Sequence, residues 1–200
     1  MNLLDELRDI VPDRRLSITE SYVLAERQAT ALLERRGVDA APVPTAVIAD
    51  LPFVRVALNN AMEASGETKW QKPRWLISLH ATEPAVRQRF SLAHEFKHIL
   101  DHKRRQRFYP LIMNLADKRR HEQLCDYFAA SLLMPRTWVK QAYSFGVQDE
   151  FELARLFQVS TQAMQFRLRQ LGIVDPYERC SEMNSVYLRQ LPASSLGLAA

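Results

Sequence analysis

The chain has 200 residues, 47% of them apolar, which is ample for a hydrophobic core and excludes disorder as the default state. Lys and Arg exceed Asp and Glu by 4, with acids interspersed throughout, so the charge balance gives only weak support to a nucleic-acid or acidic partner. Two cysteines without a paired metal spacing exclude a disulfide framework, and no stretch approaches the ~20 apolar residues of a membrane helix.

The chain opens with Met1-Asn2-Leu3-Leu4-Asp5-Glu6, acidic where a secretory signal needs a basic start, so the expected location is the cytoplasm, with no membrane partner. The basic clusters Arg14-Arg15, Arg35-Arg36, Lys103-Arg104-Arg105 and Lys118-Arg119-Arg120 read as solvated faces. A helix is predicted after Thr19, which can cap it, with Val23, Leu24, Ala31 and Leu32 on its apolar side and Gly37 beyond its end. From Val47 to His80 the pattern shifts to short branched and aromatic runs. Phe53-Val54-Arg55-Val56 and Trp75-Leu76-Ile77-Ser78-Leu79 are predicted strands, and the polar stretch between them, punctuated by Gly66 and Pro73, reads as a turn or loop.

A further helix is predicted from Pro84, with Thr82 as its cap, to about His102. Another starts near Lys118 and stops before Pro135, and a short one runs from Arg136 to Gly146. Asp149 to Val174 reads as a helix-turn-helix-like pair: Asp149 caps the first helix with Glu152 three residues on, Gln158-Val159-Ser160 turns the chain, and Gly172 closes the second. Pro192-Ala193-Ser194-Ser195-Leu196-Gly197 reads as part of a weakly ordered tail.

The chemistry concentrates in His94-Glu95-Phe96-Lys97-His98. Histidines four apart on a helix share one face about 6 Å apart along the axis and can direct both imidazoles at one ion. Glu95 lies about 100° further round. There it stands off the metal but beside the open coordination position, placed to act as general base toward water and to return the proton to a leaving amine. Leu92, Ala93, Phe96, Ile99 and Leu100 fall on the opposite side, so one face packs while the other carries the chemistry.

A catalytic zinc takes three protein ligands and keeps a fourth position open. His102 is excluded as the third, because on a straight helix it lies ~12 Å from His94. A metzincin arrangement is excluded too, since Asp101 and Arg104 stand where glycine and a third histidine are required. His80 and His121 remain open alternatives. Glu122 on the following helix is the better candidate, completing the His₂Glu set of thermolysin-like sites, and Asp126 on the same face can accept the second N–H of a ligand histidine. Phe128 to Met134 then continues apolar nearly all round, as in a helix buried against the metal helix.

At these residues the sequence resembles the ImmA/IrrE family of bacterial metallopeptidases. The resemblance rests on Arg87 to Glu95, similar to the family's strand-to-helix approach to the site, and on the run Glu122 to Pro135, similar to its second motif. It extends from about Thr19 to Ile173. It implies His94, His98 and Glu122 as ligands of Zn2+, or of another divalent ion such as Mn2+, with Glu95 as base and Asp126 behind the ligands. It also implies a helix-turn-helix repressor as the protein cleaved. Two departures stand out. Lys97 replaces the usual glycine and is expected between the packed and catalytic faces, altering access to the cleft. Cys125 replaces the usual alanine and reads as a small buried hydrophobe.

On the second helix of the helix-turn-helix-like pair, Met164, Leu168 and Leu171 form a core stripe. Gln162, Gln165 and Arg169 lie on another face, from which they could contact DNA or a partner. The expected fold is α+β: a zincin-like core of a small sheet and crossing metal-bearing helices over residues 1–146, the helix-turn-helix-like segment over 147–175, and the tail over 176–200. The leading reading is an endopeptidase. Its rivals are a catalytically idle, metal-stabilised regulator or toxin-antitoxin partner, and a direct DNA-binding regulator. Tyr109, His121 and Tyr127 are the candidates for stabilising an oxyanion.

Overall fold

The computed structural model describes residues 2–102 and 115–174. The cluster Lys103-Arg104-Arg105, Tyr109, Cys180 and the 176–200 tail lie outside them. The other three basic clusters are exposed. Among the described residues the architecture is α+β, with eight helices and one three-stranded sheet.

Helix α1 (Leu3–Asp9) was not foreseen; Asn2 caps it by accepting from the Asp5 amide at 2.9 Å. Helix α2 (Ile18–Arg35) follows, and its cap is Ser17 rather than Thr19. Ser17 and Glu20 form a reciprocal capping box: the Ser17 hydroxyl accepts from the Glu20 amide at 3.2 Å and Glu20 accepts from the Ser17 amide at 2.8 Å. Gly37, with φ at +64°, closes the helix in the left-handed conformation that glycine adopts freely. The short α3 (Ala46–Ala49) leads into the sheet.

Strands β1 (Val54–Asn59), β2 (Gly66–Gln71) and β3 (Arg74–His80) lie in the order β1-β3-β2. The central β3 runs parallel to β1, from Val54 opposite Trp75 to Asn59 opposite His80, and antiparallel to β2, from Gly66 opposite Leu79 to Gln71 opposite Arg74. Trp75, Ile77 and Leu79 are buried at alternate positions of β3, the period of a strand with one face on the core. β2 corrects the reading of its segment as turn or loop. It is an edge strand with four of its six residues exposed, so it lacks the apolar alternation by which strands are recognised.

Helix α4 (Ala85–Asp101) packs on the sheet, and α5 (Leu115–Leu133) packs against both α4 and α2. Thr82 does not cap α4; its hydroxyl pairs with His80 Nδ1 at 3.1 Å. Instead the Gln88 amide donates to the carbonyls of His80, Ala81 and Glu83 at 3.0–3.2 Å, which ties down the connection entering the helix. The stretch Arg87 to Glu95 thus lies wholly within α4. At the other end, Arg8 of α1 donates to the Ile99 and Leu100 carbonyls at 2.7 and 3.2 Å, satisfying orphan acceptors with a cation where the helix dipole favours one.

The core fills as periodicity predicts. Leu92, Ala93, Phe96, Ile99 and Leu100 of α4 are buried, as is every residue from Phe128 to Met134. Helices α6 (Arg136–Ser144), α7 (Glu150–Phe157) and α8 (Thr161–Gln170) complete the described chain. Asp149 caps α7 through the amides of Phe151 and Glu152, both at 2.9 Å. The described residues up to Arg167 form one compact unit, and those from Leu168 onward belong to a second. Of the second, the described residues finish α8 and turn at Gly172, whose φ is +65°.

Candidate metal centre

His94 and His98 sit one turn apart on α4, and Glu122 faces them from α5. His94 Nε2 lies 3.1 Å from His98 Nε2 and 3.1 Å from Glu122 Oε2, and His98 Nε2 lies 3.5 Å from the same oxygen. Donors placed tetrahedrally at about 2.0–2.2 Å around zinc stand about 3.3–3.6 Å apart, so this triangle closes on one ion with small adjustments and leaves a fourth corner open. Two imidazoles and a carboxylate also suit zinc chemically.

Asp126, one turn beyond Glu122, accepts from His94 Nδ1 at 2.8 Å. That bond turns Nε2 toward the triangle and sets the tautomer a metal ligand needs. Burial disfavours a charge on His94, but its hydrogen bonds to Asp126 and Glu122 outweigh burial and raise its pKa to about 9. Hydrogen bonds from His121, His94 and His98 hold the Glu122 carboxyl well below the usual carboxylate range. Metal binding at this triangle is therefore expected to displace a proton from His94 and to strengthen as pH rises toward about 9, read by chelator competition across pH. The same titration should show Asp126→Ala weakening metal binding by about 10- to 100-fold.

Glu95 lies beside this triangle, and its carboxylate is held from the sheet edge. Thr68 of β2 donates to Glu95 Oε2 at 2.8 Å. Gly66 packs so closely that a Cβ there would stand 2.8 Å from Glu95 Cγ and 3.0 Å from Oε1. Gly66→Ala is thus expected to push the Glu95 side chain aside and lower kcat by about 10- to 100-fold at unchanged metal content, since misplacement by about 1 Å has effects of that size. Gly66 was read only as punctuation of a turn and Thr68 did not stand out, because their strand was not recognised.

Of the remaining candidates, His121 stands against the triangle, its ring centroid 5.0 Å from that of His98 and its Nδ1 4.0 Å from Glu122 Oε1, so that His98, His121 and Glu122 form a second possible donor set. Trp75 stacks edge-on against His102, with ring centroids 4.7 Å apart, and His80 pairs with Thr82. His121 is buried with Nε2 3.2 Å from Asp101 Oδ2. Tyr127 donates its hydroxyl to Glu26 at 3.0 Å. Lys97 corrects the expectation that it borders the cleft: it is fully buried, pairs with Asp101 at 2.6 Å and donates to Gln28 of α2 at 2.8 Å. An ammonium so placed is stable because both partners accept from it. The i,i+4 spacing of Lys97 and Asp101 was the available signal. Cys125 is buried, its sulfur 3.9 Å from Nδ1 of both His98 and His121.

A cavity of about 520 Å³ opens onto His94, Glu95, Glu122 and Asp126. Gln162 lines the same cavity from α8. Gln165 donates to Glu150 at 2.6 Å, and Arg169 is exposed in the second unit.

A helix with two histidines four apart, laid on a small mixed sheet and faced by a glutamate from the next helix, defines a zincin-like metallopeptidase fold. Residues 54–169, more than half of the chain, match the family described as the IrrE N-terminal-like domain, and the chain belongs to that family. Metallopeptidase ImmA of Bacillus subtilis is 25% identical to it over 148 residues, covering 73% of this chain and 82% of that protein. A solved structure, a Mycobacterium tuberculosis transcriptional regulator, superposes with a TM-score of 0.60 over 84% of this chain at 18% identity, a likeness of fold. The chain spans about half, 52%, of that regulator's length. No described helix is long and apolar enough to cross a membrane.

Proposed function

We propose that the chain is a zinc-dependent endopeptidase that cuts a helix-turn-helix repressor in the cytoplasm and so relieves repression. The observation that carries this is the triangle of His94, His98 and Glu122 with Glu95 beside it in the same cavity. Zinc held by these three residues would supply a Lewis acid able to polarise a peptide carbonyl and acidify water. The Glu95 carboxylate accepts the proton of the attacking water and delivers it to the nitrogen of the leaving amine. Thr68 keeps that carboxylate oriented.

Strand β2 offers the substrate a backbone partner. Among the described residues it pairs only with β3, an edge of the kind extended peptides join, and Gly66 and Thr68 on it flank Glu95. The family match and the likeness to a metallopeptidase support the reaction class, and the substrate class rests on what the sequence resemblance to the ImmA/IrrE family implies. Gln162 in the cavity lining and Gln165 held by Glu150 favour peptide hydrolysis over direct duplex contact.

The test is incubation of the zinc-loaded protein with candidate helix-turn-helix repressors. Discrete fragments are expected, and they should vanish in Glu95→Gln. A biological effect that survives Glu95→Gln would instead mark a regulator acting through contacts.

A further inference from the structure

The cavity has a second half that proton transfer and metal binding do not use. Val86 and Phe90 enter it from the N-terminal half of α4, Ala130 from α5, and Ala163 and Phe166 from α8. Helix α8 therefore carries apolar residues on two faces: Met164 is buried in the core, whereas Phe166 is left 55% exposed on the cavity side. A large aromatic left in solvent beside small apolar residues on a concave wall marks a surface for a ligand.

The wall is held rigidly. The fully buried Arg167 donates from Nε to the Met134 carbonyl at 3.0 Å, faces the Glu26 carboxylate at 3.6 Å, and lies over the Tyr127 ring at 5.6 Å. At the start of α8 the Ser160 hydroxyl accepts from the Ala163 amide at 3.1 Å, and Gln165 ties the helix to α7 through Glu150. Side chains on an element anchored at several points keep a pocket's shape, as a specificity site requires. The one Lys or Arg in the lining, Arg87, is engaged by Ser65 at 3.3–3.4 Å and lies 4.0 Å from Glu83. The wall itself carries no charge to match an ionic side chain.

We infer that α8 is the specificity wall of the cleft, forming with α4 and α5 an apolar subsite that takes a bulky apolar side chain flanking the scissile bond. Phe166 and Phe90 supply its aromatic contacts. This rests on the peptidase reading and gives the helix-turn-helix-like segment a task other than reading DNA.

The experiment uses two peptide hydroxamates, which bind through the metal whether or not the protein cleaves, identical except for an isobutyl or a methyl side chain next to the chelating group. Each is titrated into the zinc-loaded full chain and into Phe166→Leu, Phe166→Ala and Ala163→Trp, with zinc content and melting temperature checked. The isobutyl probe is expected to bind about tenfold or more tightly than the methyl probe, the usual span for a few methylenes in an apolar pocket. Phe166→Leu should keep most of that ratio, Phe166→Ala should collapse it, and Ala163→Trp should abolish it by filling the space. An equal ratio in wild type and Phe166→Ala, or no preference in wild type, overturns the inference. A Phe166-dependent preference in a protein that cuts no repressor upholds the subsite while the peptidase reading fails. Cleavage with no such preference does the reverse.

Discussion

Glu95→Gln is expected to lower kcat/KM on a cleaved peptide by about 100- to 10,000-fold, the range for loss of a general base, with zinc content and melting temperature unchanged. The substitution keeps the size and most of the hydrogen-bonding capacity of the side chain, so Thr68 retains a partner and the tight packing beneath Gly66 is preserved. What is lost is the ability to take a proton. Because that interaction develops only on the way to the transition state, the loss should fall on kcat with little change in KM. Parallel measurement of zinc separates this outcome from damage to the metal site, since none of the three donor atoms belongs to Glu95. Near-wild-type turnover in Glu95→Gln would place the base elsewhere.

The helix that carries His94 and His98 was legible because its pattern is local: residues four apart share a face whatever the rest of the chain does, and the apolar stripe of Leu92, Phe96 and Ile99 needs only helical periodicity to be read. Glu122 and Asp126 were legible for the same reason once a second helix was recognised. The parts of the site made by tertiary approach were not. Thr68 reaches Glu95 from a polar edge strand with no pattern of its own, and Arg8 caps the helix of His94 and His98 from far off in the sequence, at α1. Phe166 reads as one more helical aromatic until its neighbours in space are known. Lys97 was misplaced because position on a helical wheel gives the direction of a side chain but not what covers it; here α2 does, through Gln28.

Asp101→Ala is expected to destabilise the fold by about 3–5 kcal/mol, the usual loss when one member of a buried ion pair is removed. Lys97 and Asp101 are both inaccessible to solvent, and their 2.6 Å contact is continued by Gln28, which donates to the Leu7 carbonyl at 2.9 Å, and by His121 on the other oxygen of Asp101. The variant leaves the Lys97 ammonium buried without this carboxylate and His121 without this acceptor. Burial works against the Asp101 charge, but Lys97 and His121 outweigh it and hold its pKa below the ordinary value of 3.8. A carboxyl whose folded-state pKa is depressed contributes stability that is complete above its unfolded value, about pH 4, and is lost as pH falls through the folded-state value. Asp101→Ala should therefore lower stability at neutral pH and flatten the acid limb of the profile. Both are read from denaturant midpoints at constant m-value over a pH series. The double variant Lys97→Met with Asp101→Leu should recover most of the loss, because apolar residues of similar volume replace a buried pair at little cost, leaving only the partner bonds of Gln28 and His121 unmade. A double variant as unstable as Asp101→Ala would assign the effect to packing at residue 101 instead of to the charge left behind.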